Sequence, residues 1–375
     1  MTAVRRERGR SDAGCTGHAG KPRPTLEQVA ARAGVGRGTV SRVINGSPRV
    51  SDRTRAAVEA AVAELGYVPN GAARALAAGS ADAVALVVPE TENRLFAEPY
   101  FSGILRGVSA EFADSEMQLL LTLIRDQHER DRFVQYAAAR RVDGVLLVSV
   151  HADDPLPDLV REVGMPTVLN GRRSGAETVP YVDSDNVGGA QLAVEHLIGR
   201  GCRAVATITG PLDMYVAQCR LEGHRQALRD AGRDEDERLV VHGDFTEDGG
   251  RRAMRELLRR APQVDAVFCA SDVMASGARL ALREAGRTVP DDVALVGFDD
   301  SAVARHMDPP LTTVRQPIEE MGRAMARTLL ELMARERESA SGAVGGGRAG
   351  GGSTGAAQEP SRLVLPTELI RRGSS

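Results

Sequence analysis

The chain has no tryptophan, and aromatic residues together make up only 3% of its 375 positions. That argues against a nucleic-acid surface built on rows of stacking side chains. Lysine is nearly missing too: Lys21 is the only one, and arginine supplies the rest of the 48 basic residues. A lone arginine therefore says little. The four cysteines (Cys15, Cys202, Cys219, Cys269) form no CxxC pair and meet no cluster of histidines, so neither a metal site nor a disulfide framework is expected. No cofactor is expected either. Apolar runs stay well short of the ~18 residues a membrane helix needs. The N-terminal "MTAVRRERGRSDAG" has no apolar core of a signal peptide. The sequence predicts a cytoplasmic protein without a membrane segment.

Hydrophobic residues at 42% are enough for sizeable cores, and the length suggests two or three folding units. Charge is unevenly spread. Residues 1–80 carry a balance of +7 and the remainder −10. A basic end on an acidic body is the footprint of a protein that meets nucleic acid at one end.

Residues 1–22 are Arg, Gly and Ser rich without periodicity and read as a disordered tail. Residues 23–68 read as three helices. Thr25 caps "LEQVAARA", with Gln28 as its capping-box partner, and Gly34 ends it. The second helix lies in "VGRGTVSRVING" (35–46); Ser51 caps the third, "DRTRAAVEAAVAEL", and Gly66 closes it. Small residues at the first joint (Ala30, Ala31, Gly34) and a miniature core of Val29, Val35, Val40 and Val43 fit a helix-turn-helix. Residues 69–80, with "GAARALA", read as a hinge too short to be a stable helix alone. From residue 83 onward, short apolar runs such as "AVALVVP", "DGVLLVS" and "DVALVGFDD" alternate with amphipathic stretches. That rhythm predicts parallel sheets covered by helices. About nine strands divide near residue 185 into two similar α/β lobes with a cleft between them. The body spans 83–337 and 361–371, interrupted by a Gly-rich insertion at 338–360, taken as disordered. The last stretch, "RLVLPTELI", reads as one strand of the second lobe.

The stretch from "TLEQVAARAGVGRGTVSRVING" to "GAARALA" resembles the N-terminal domain of the lactose-repressor (LacI/GalR) family of bacterial transcription regulators. The resemblance continues through the body and implies a two-lobed periplasmic-binding-protein-like domain behind the all-α headpiece. It implies that Thr39, Ser41, Asn45, Ser51 and Tyr67 hold phosphates, with Thr25 a further DNA contact. Asn70 and Arg74 would serve a hinge that wedges Leu76 into the minor groove. The family pattern has Ser at position 36 and a bulkier residue at 38; here both are glycine. Arg37, helped by Arg42, is then expected to read G·C pairs, since Arg to guanine is the commonest specific base contact. A phosphate clamp is the alternative.

In the body, the resemblance implies an effector between the lobes held by Arg220, Asp299 and the Ser271–Asp272 pair, with Phe245 as a flat apolar wall. Phe96 and Phe101, in the long stretch "PETENRLFAEPYF", are expected to line the same cleft. Arginine, carboxylate and aromatic ring together suit a sugar. The expected function is a repressor of sugar-utilisation genes, released from a palindromic operator by a sugar, with an oligosaccharide such as a β-glucoside in view. Family members that respond to purines bind DNA with a corepressor instead, so that reading stays open. The family's tetramerising leucine heptads are missing, and a homodimer is expected. "DSD" and "GFDD" place carboxylates side by side, but no GxSxG, P-loop or metal spacing accompanies them; no enzyme activity is expected.

Overall fold

The computed structural model describes residues 24–44, 47, 49–67, 80–345 and 361–375, and the chain divides into two compact units, Met1–Gly79 and Ser80–Ser375. The first unit holds α1 (Leu26–Ala33), α2 (Arg37–Ile44) and α3 (Asp52–Leu65). Thr25 and Gln28 form the capping box anticipated for α1, and Gly34, at φ +68°, ends that helix in the left-handed conformation that glycine adopts without strain. Val29, Ala30, Val40, Val43, Val58 and Ala61 close a small core.

The second unit contains two six-stranded sheets. In the first lobe β1 (Ala83–Val88), β2 (Gln118–Leu123), β3 (Gly144–Leu147), β4 (Thr167–Asn170) and β5 (Tyr181–Ser184) are joined by β11 (Arg362–Leu365), in the order β11-β5-β4-β3-β1-β2. In the second, β6 (Val205–Thr209), β7 (Val240–His242), β8 (Ala266–Cys269), β9 (Ala294–Asp299) and β10 (Thr312–Arg315) are joined by β12 (Glu368–Ile370), in the order β12-β10-β9-β8-β6-β7. Every pairing is parallel except β10 with β12. The central strands are buried on both faces, which is why "AVALVV" and "AVFC" read as unbroken apolar runs.

Two expectations need correction. "RLVLPTELI" is two strands, β11 in the first lobe and β12 in the second. Pro366 lies between them and has no N–H to give a ladder. The helix after β10, α13 (Ile318–Gly345), also runs past residue 337, where the insertion was placed. It packs on the first lobe along α5 (Pro99–Phe112). The chain thus crosses between lobes at 184–186, 315–318 and 365–368. The crossings touch: Ser184 Oγ donates to Gln316 Oε1 at 2.8 Å, and Asp185 N to the Leu365 carbonyl at 2.9 Å.

The α5–α13 contact depends on glycine: a Cβ on Gly107 would collide with the Glu319 carbonyl oxygen, whereas one on Gly199 would meet nothing within 4 Å. Gly107→Ala should cost about 1–3 kcal/mol by overpacking, while Gly199→Ala should be neutral or mildly stabilising. Thermal denaturation of the two variants checks this; equal midpoints would contradict the packing argument.

Candidate DNA-reading helix and effector cleft

In the first unit, the Gly36 carbonyl accepts from Thr39 N at 2.8 Å and Val40 N at 3.2 Å, opening α2. A Cβ on Gly36 or Gly38 would meet nothing within 4 Å. Packing inside this unit does not demand the glycines; they leave the helix tip bare. Arg37 is 74% exposed but does not stand alone, since its Nη1 lies 3.2 Å from Glu27 Oε1. An exposed pair of this kind contributes little and costs little to break. Arg42 folds back on its own helix, its Nε donating to the Gly38 carbonyl at 3.1 Å and its Nη2 to Thr39 Oγ1 at 3.4 Å. The Thr25 and Ser51 hydroxyls both cap helices, Ser41 is half-buried, and Tyr67 packs against the small core. Asn45, Asn70, Arg74 and Leu76 lie outside the described residues, as do the tail, most of the hinge and the greater part of the insertion.

In the second unit, a cavity of about 680 Å3, counting its open mouth, lies between the lobes. Its walls come from the carboxyl ends of strands in both sheets, where ligands bind in open α/β folds. Ser149 follows β3, Asn170 ends β4, Asp183 is the last residue but one of β5, Met214 follows β6, Phe245 follows β7, Ser271 follows β8, and Asp299 ends β9.

Arg220, on α9 (Tyr215–Asp230), is buried at the centre. Its Nε donates to Asn186 Oδ1 at 2.9 Å, its Nη1 to the Ala270 carbonyl at 2.6 Å, and its guanidinium lies 3.7 Å from the Phe298 ring centroid. Asn186 Nδ2 donates to Asp183 Oδ1 at 2.9 Å, and Asp183 Oδ2 accepts from Arg172 Nε at 3.0 Å. A polar chain therefore runs from the first lobe to the arginine of the second. Arg220 and Asp299 approach only to 3.9 Å, too far for a hydrogen bond. Asp299 is held instead by Gln316, whose Nε2 donates at 2.6 Å. Its φ of +119° is strained, and the neighbouring Asp300 is anchored by Arg315, at 2.7 Å, and by Arg372.

Phe245 forms one wall, at φ +64°, in space that exists because residue 210 is glycine: a Cβ there would run into the ring. Phe101 also lines the cavity. Phe96 does not; it is 79% exposed on the outside of the first lobe. Asp272 is likewise not in the cavity wall. It is fully buried behind it, accepting from Ser301 N at 2.7 Å and Thr313 Oγ1 at 2.5 Å. Its neighbour Ser271 reaches the cavity and caps α11 (Asp272–Glu284), accepting from Met274 N at 3.2 Å.

The sequence reading missed most of the first-lobe wall. Arg94, on α4 (Glu92–Ala97), bonds Glu98 at 2.8 Å and lies 5.7 Å from the Phe245 centroid. Tyr100 OH donates to Asn170 Oδ1, and Asn170 Nδ2 is buried with no partner among the described residues. Such a donor suits a ligand oxygen. Burial pushes Glu98 up to about 7 despite Arg94, with Asp299 across the cavity adding to the rise. A carboxyl titrating there can donate as well as accept, as hydroxyls require.

Residues 25–70 match the model of bacterial regulatory proteins of the lacI family, and residues 194–375 match the periplasmic binding protein-like domain. The chain is 52% identical to the HTH-type transcriptional regulator CelR of Thermobifida fusca, over 94% of this chain and 98% of that protein. It belongs to the lacI family. Two solved structures share the architecture of this lacI-family chain. One, a transcriptional regulator CelR–cellobiose complex, is 50% identical with a TM-score of 0.72, covering 94% of this chain and all of that one. The other, a Lac repressor dimer bound to operator and the anti-inducer ONPF, is 27% identical with a TM-score of 0.79, covering 94% and 99%. The protein is a DNA-binding transcriptional regulator and not an enzyme. No helix among the described residues is long and apolar enough to cross a membrane.

Burial raises both Asp272 and Asp299 above the ordinary carboxylate value of 3.8; the charge of Asp299 raises Asp272 further, while Arg220, Gln316 and the Asp272 N–H hold Asp299 back. The folded protein therefore holds protons that the unfolded chain has released, so stability falls as pH rises from 3.8 through the raised values. Urea denaturation of unliganded protein at about pH 5 and about pH 9 should show this loss, and Asp299→Asn should shrink it. An equal loss in wild type and variant would mean that the carboxyls titrate normally.

Proposed function

We propose that this regulator represses sugar-utilisation genes from a palindromic operator, as a homodimer, and that cellobiose or a close β-linked glucose oligosaccharide is the effector that releases it. The observation that carries the reading is the cavity's lining. Arg220, Asp299, Glu98 and Asn170 offer donors and acceptors of hydroxyl geometry beside the flat Phe245 ring, which is the combination a pyranose needs. The volume, within the usual range for small-molecule sites, and the 50% identity to a regulator solved with cellobiose support it. An oligosaccharide bridging Arg220 and Asp299 of one lobe to Glu98 and Asn170 of the other favours the closed form. DNA affinity then changes by the sugar's differential affinity for the two forms, and by no more. In the headpiece, α2 enters the major groove with Arg37 at the base edges.

Saturation at 100 times the dissociation constant should stabilise the protein by about 2.7 kcal/mol. Thermal denaturation should show this with cellobiose and not with purines, and gel-shift assays should show operator release. Arg220→Ala should abolish the sugar response, and thermal denaturation of the same variant separates that loss from the destabilisation of unpairing Asn186. Stabilisation by a purine alone, or operator binding that tightens with ligand, would overturn the reading.

Arg37→Ala should cost about 1–3 kcal/mol on the operator and relax the preference at one base pair of each half-site. A uniform weakening across all sequences, with a shallower salt dependence, would make Arg37 a phosphate contact instead.

A further inference from the structure

The mouth of the cleft is crossed by a contact that no cavity-lining residue makes. His151 lies in the segment after β3 of the first lobe, and Asp213 in the loop after β6 of the second. His151 Nδ1 is 2.7 Å from Asp213 Oδ2, and Ala152 N donates to the Asp213 carbonyl at 2.8 Å. On its other side, His151 Nε2 is 3.6 Å from Glu90 Oε1. Glu90 is buried; it accepts from Ser149 Oγ at 2.6 Å and pairs with Arg94 at 2.7 Å. Arg94 in turn holds Glu98 and covers Phe245. Neither His151 nor Asp213 lines the cavity.

We propose that His151 and Asp213 are positioning residues for effector capture, forming a proton-dependent clasp that holds the lobes shut. Its consequence for affinity rests on the effector reading above, but the clasp itself involves protein groups alone. Each imidazole nitrogen faces a carboxylate, and ionised carboxylates only accept. A neutral ring carries one N–H and no charge; the protonated ring donates to Asp213 and attracts Glu90 as an ion pair at 3.6 Å, beyond hydrogen-bond reach. The groups facing the ring are Glu90, with Arg94 and Ser149 behind it, and Asp213. His151 is accordingly raised above its ordinary value, chiefly by Glu90, with burial opposing and Asp213 assisting. Glu90 outweighs the nearer Asp213 because Asp213 is 59% exposed. Only Asp213 belongs to the opposite lobe, so opening removes its share. Closure therefore gains from the clasp below the open-form value, which Glu90 still holds up, and the gain is lost as pH rises through the closed-form value.

The test uses full-length protein. Imidazole NMR follows His151, assigned by the signal that His151→Gln removes, without ligand and with saturating cellobiose. Cellobiose affinity is measured at about pH 6 and about pH 9. His151 should titrate above 6.5 and shift downward in Asp213→Asn. Cellobiose should bind more tightly at the lower pH, with each unit of closure-linked shift contributing up to about tenfold. Glu98 and Asp299 titrate in the same range, so the deciding quantity is the difference between wild type and the two variants. A His151 titration indifferent to Asp213→Asn in both conditions overturns the clasp. So does one shared pH profile of affinity for wild type and both variants. An Asp213-dependent titration in a protein that binds no cellobiose at either pH supports the clasp and overturns the cellobiose reading alone.

Discussion

The body of this protein is organised around one desolvated charge, the guanidinium of Arg220. Burying a cation without compensation is prohibitively costly, so its neighbours must supply acceptors and polarisable surface. Asn186, the Ala270 carbonyl and the face of Phe298 do so. Asn186 is fixed in turn by Asp183, and Asp183 by Arg172. Removing any link leaves a buried polar group unpaired, which costs more than the bond itself contributed. The chain ties the end of β5 in one sheet to the start of α9 in the other. The cleft therefore has its polar geometry in place before a ligand arrives, which lowers the ordering cost of binding.

Much of this was legible in the sequence because it depends on local rules. The alternation of apolar runs and amphipathic stretches forecast two parallel sheets, and caps and glycines marked the headpiece helices within a residue or so. Arg220, Asp299, Ser271, Phe245 and Phe101 were anticipated at the cleft and line it. The failures have a common cause: they turn on direction. In "PETENRLFAEPYF" Phe101 lines the cavity as expected but Phe96 does not, because the six-residue α4 carries Phe96 outward while Arg94 and Glu98 face the cavity. Ser271 and Asp272 are adjacent, but one is a cap reaching the cleft and the other begins the helix and points beneath it. The "DSD" at 183–185 reads as a lobe boundary and as adjacent carboxylates but not as cleft wall, though a strand's carboxyl end is where ligand groups gather. His151 and Asp213, 62 residues apart, show no pattern that would pair them.

The headpiece follows a different economy from the body. Its core is six small or β-branched residues, so its fold rests heavily on capping and turn chemistry, each cap contributing about 1 kcal/mol. The two glycines at the tip of α2 are tolerated because the first sits at the cap position, where glycine costs only tenths of a kcal/mol. Stability here comes from the inward face of the helices, and the outward tip is left to recognition.

The three crossings between lobes lie side by side and bond to one another, with Thr367 Oγ1 also donating to the Asp185 carbonyl at 3.2 Å. A single strand of backbone would let the lobes twist, slide and bend. Three short parallel tethers resist shear and torsion and leave bending as the soft coordinate. The angle between the lobes then behaves as a one-dimensional gauge. The cleft measures the width of whatever occupies it, and a molecule with suitable chemistry but the wrong span would arrest the lobes at a different angle.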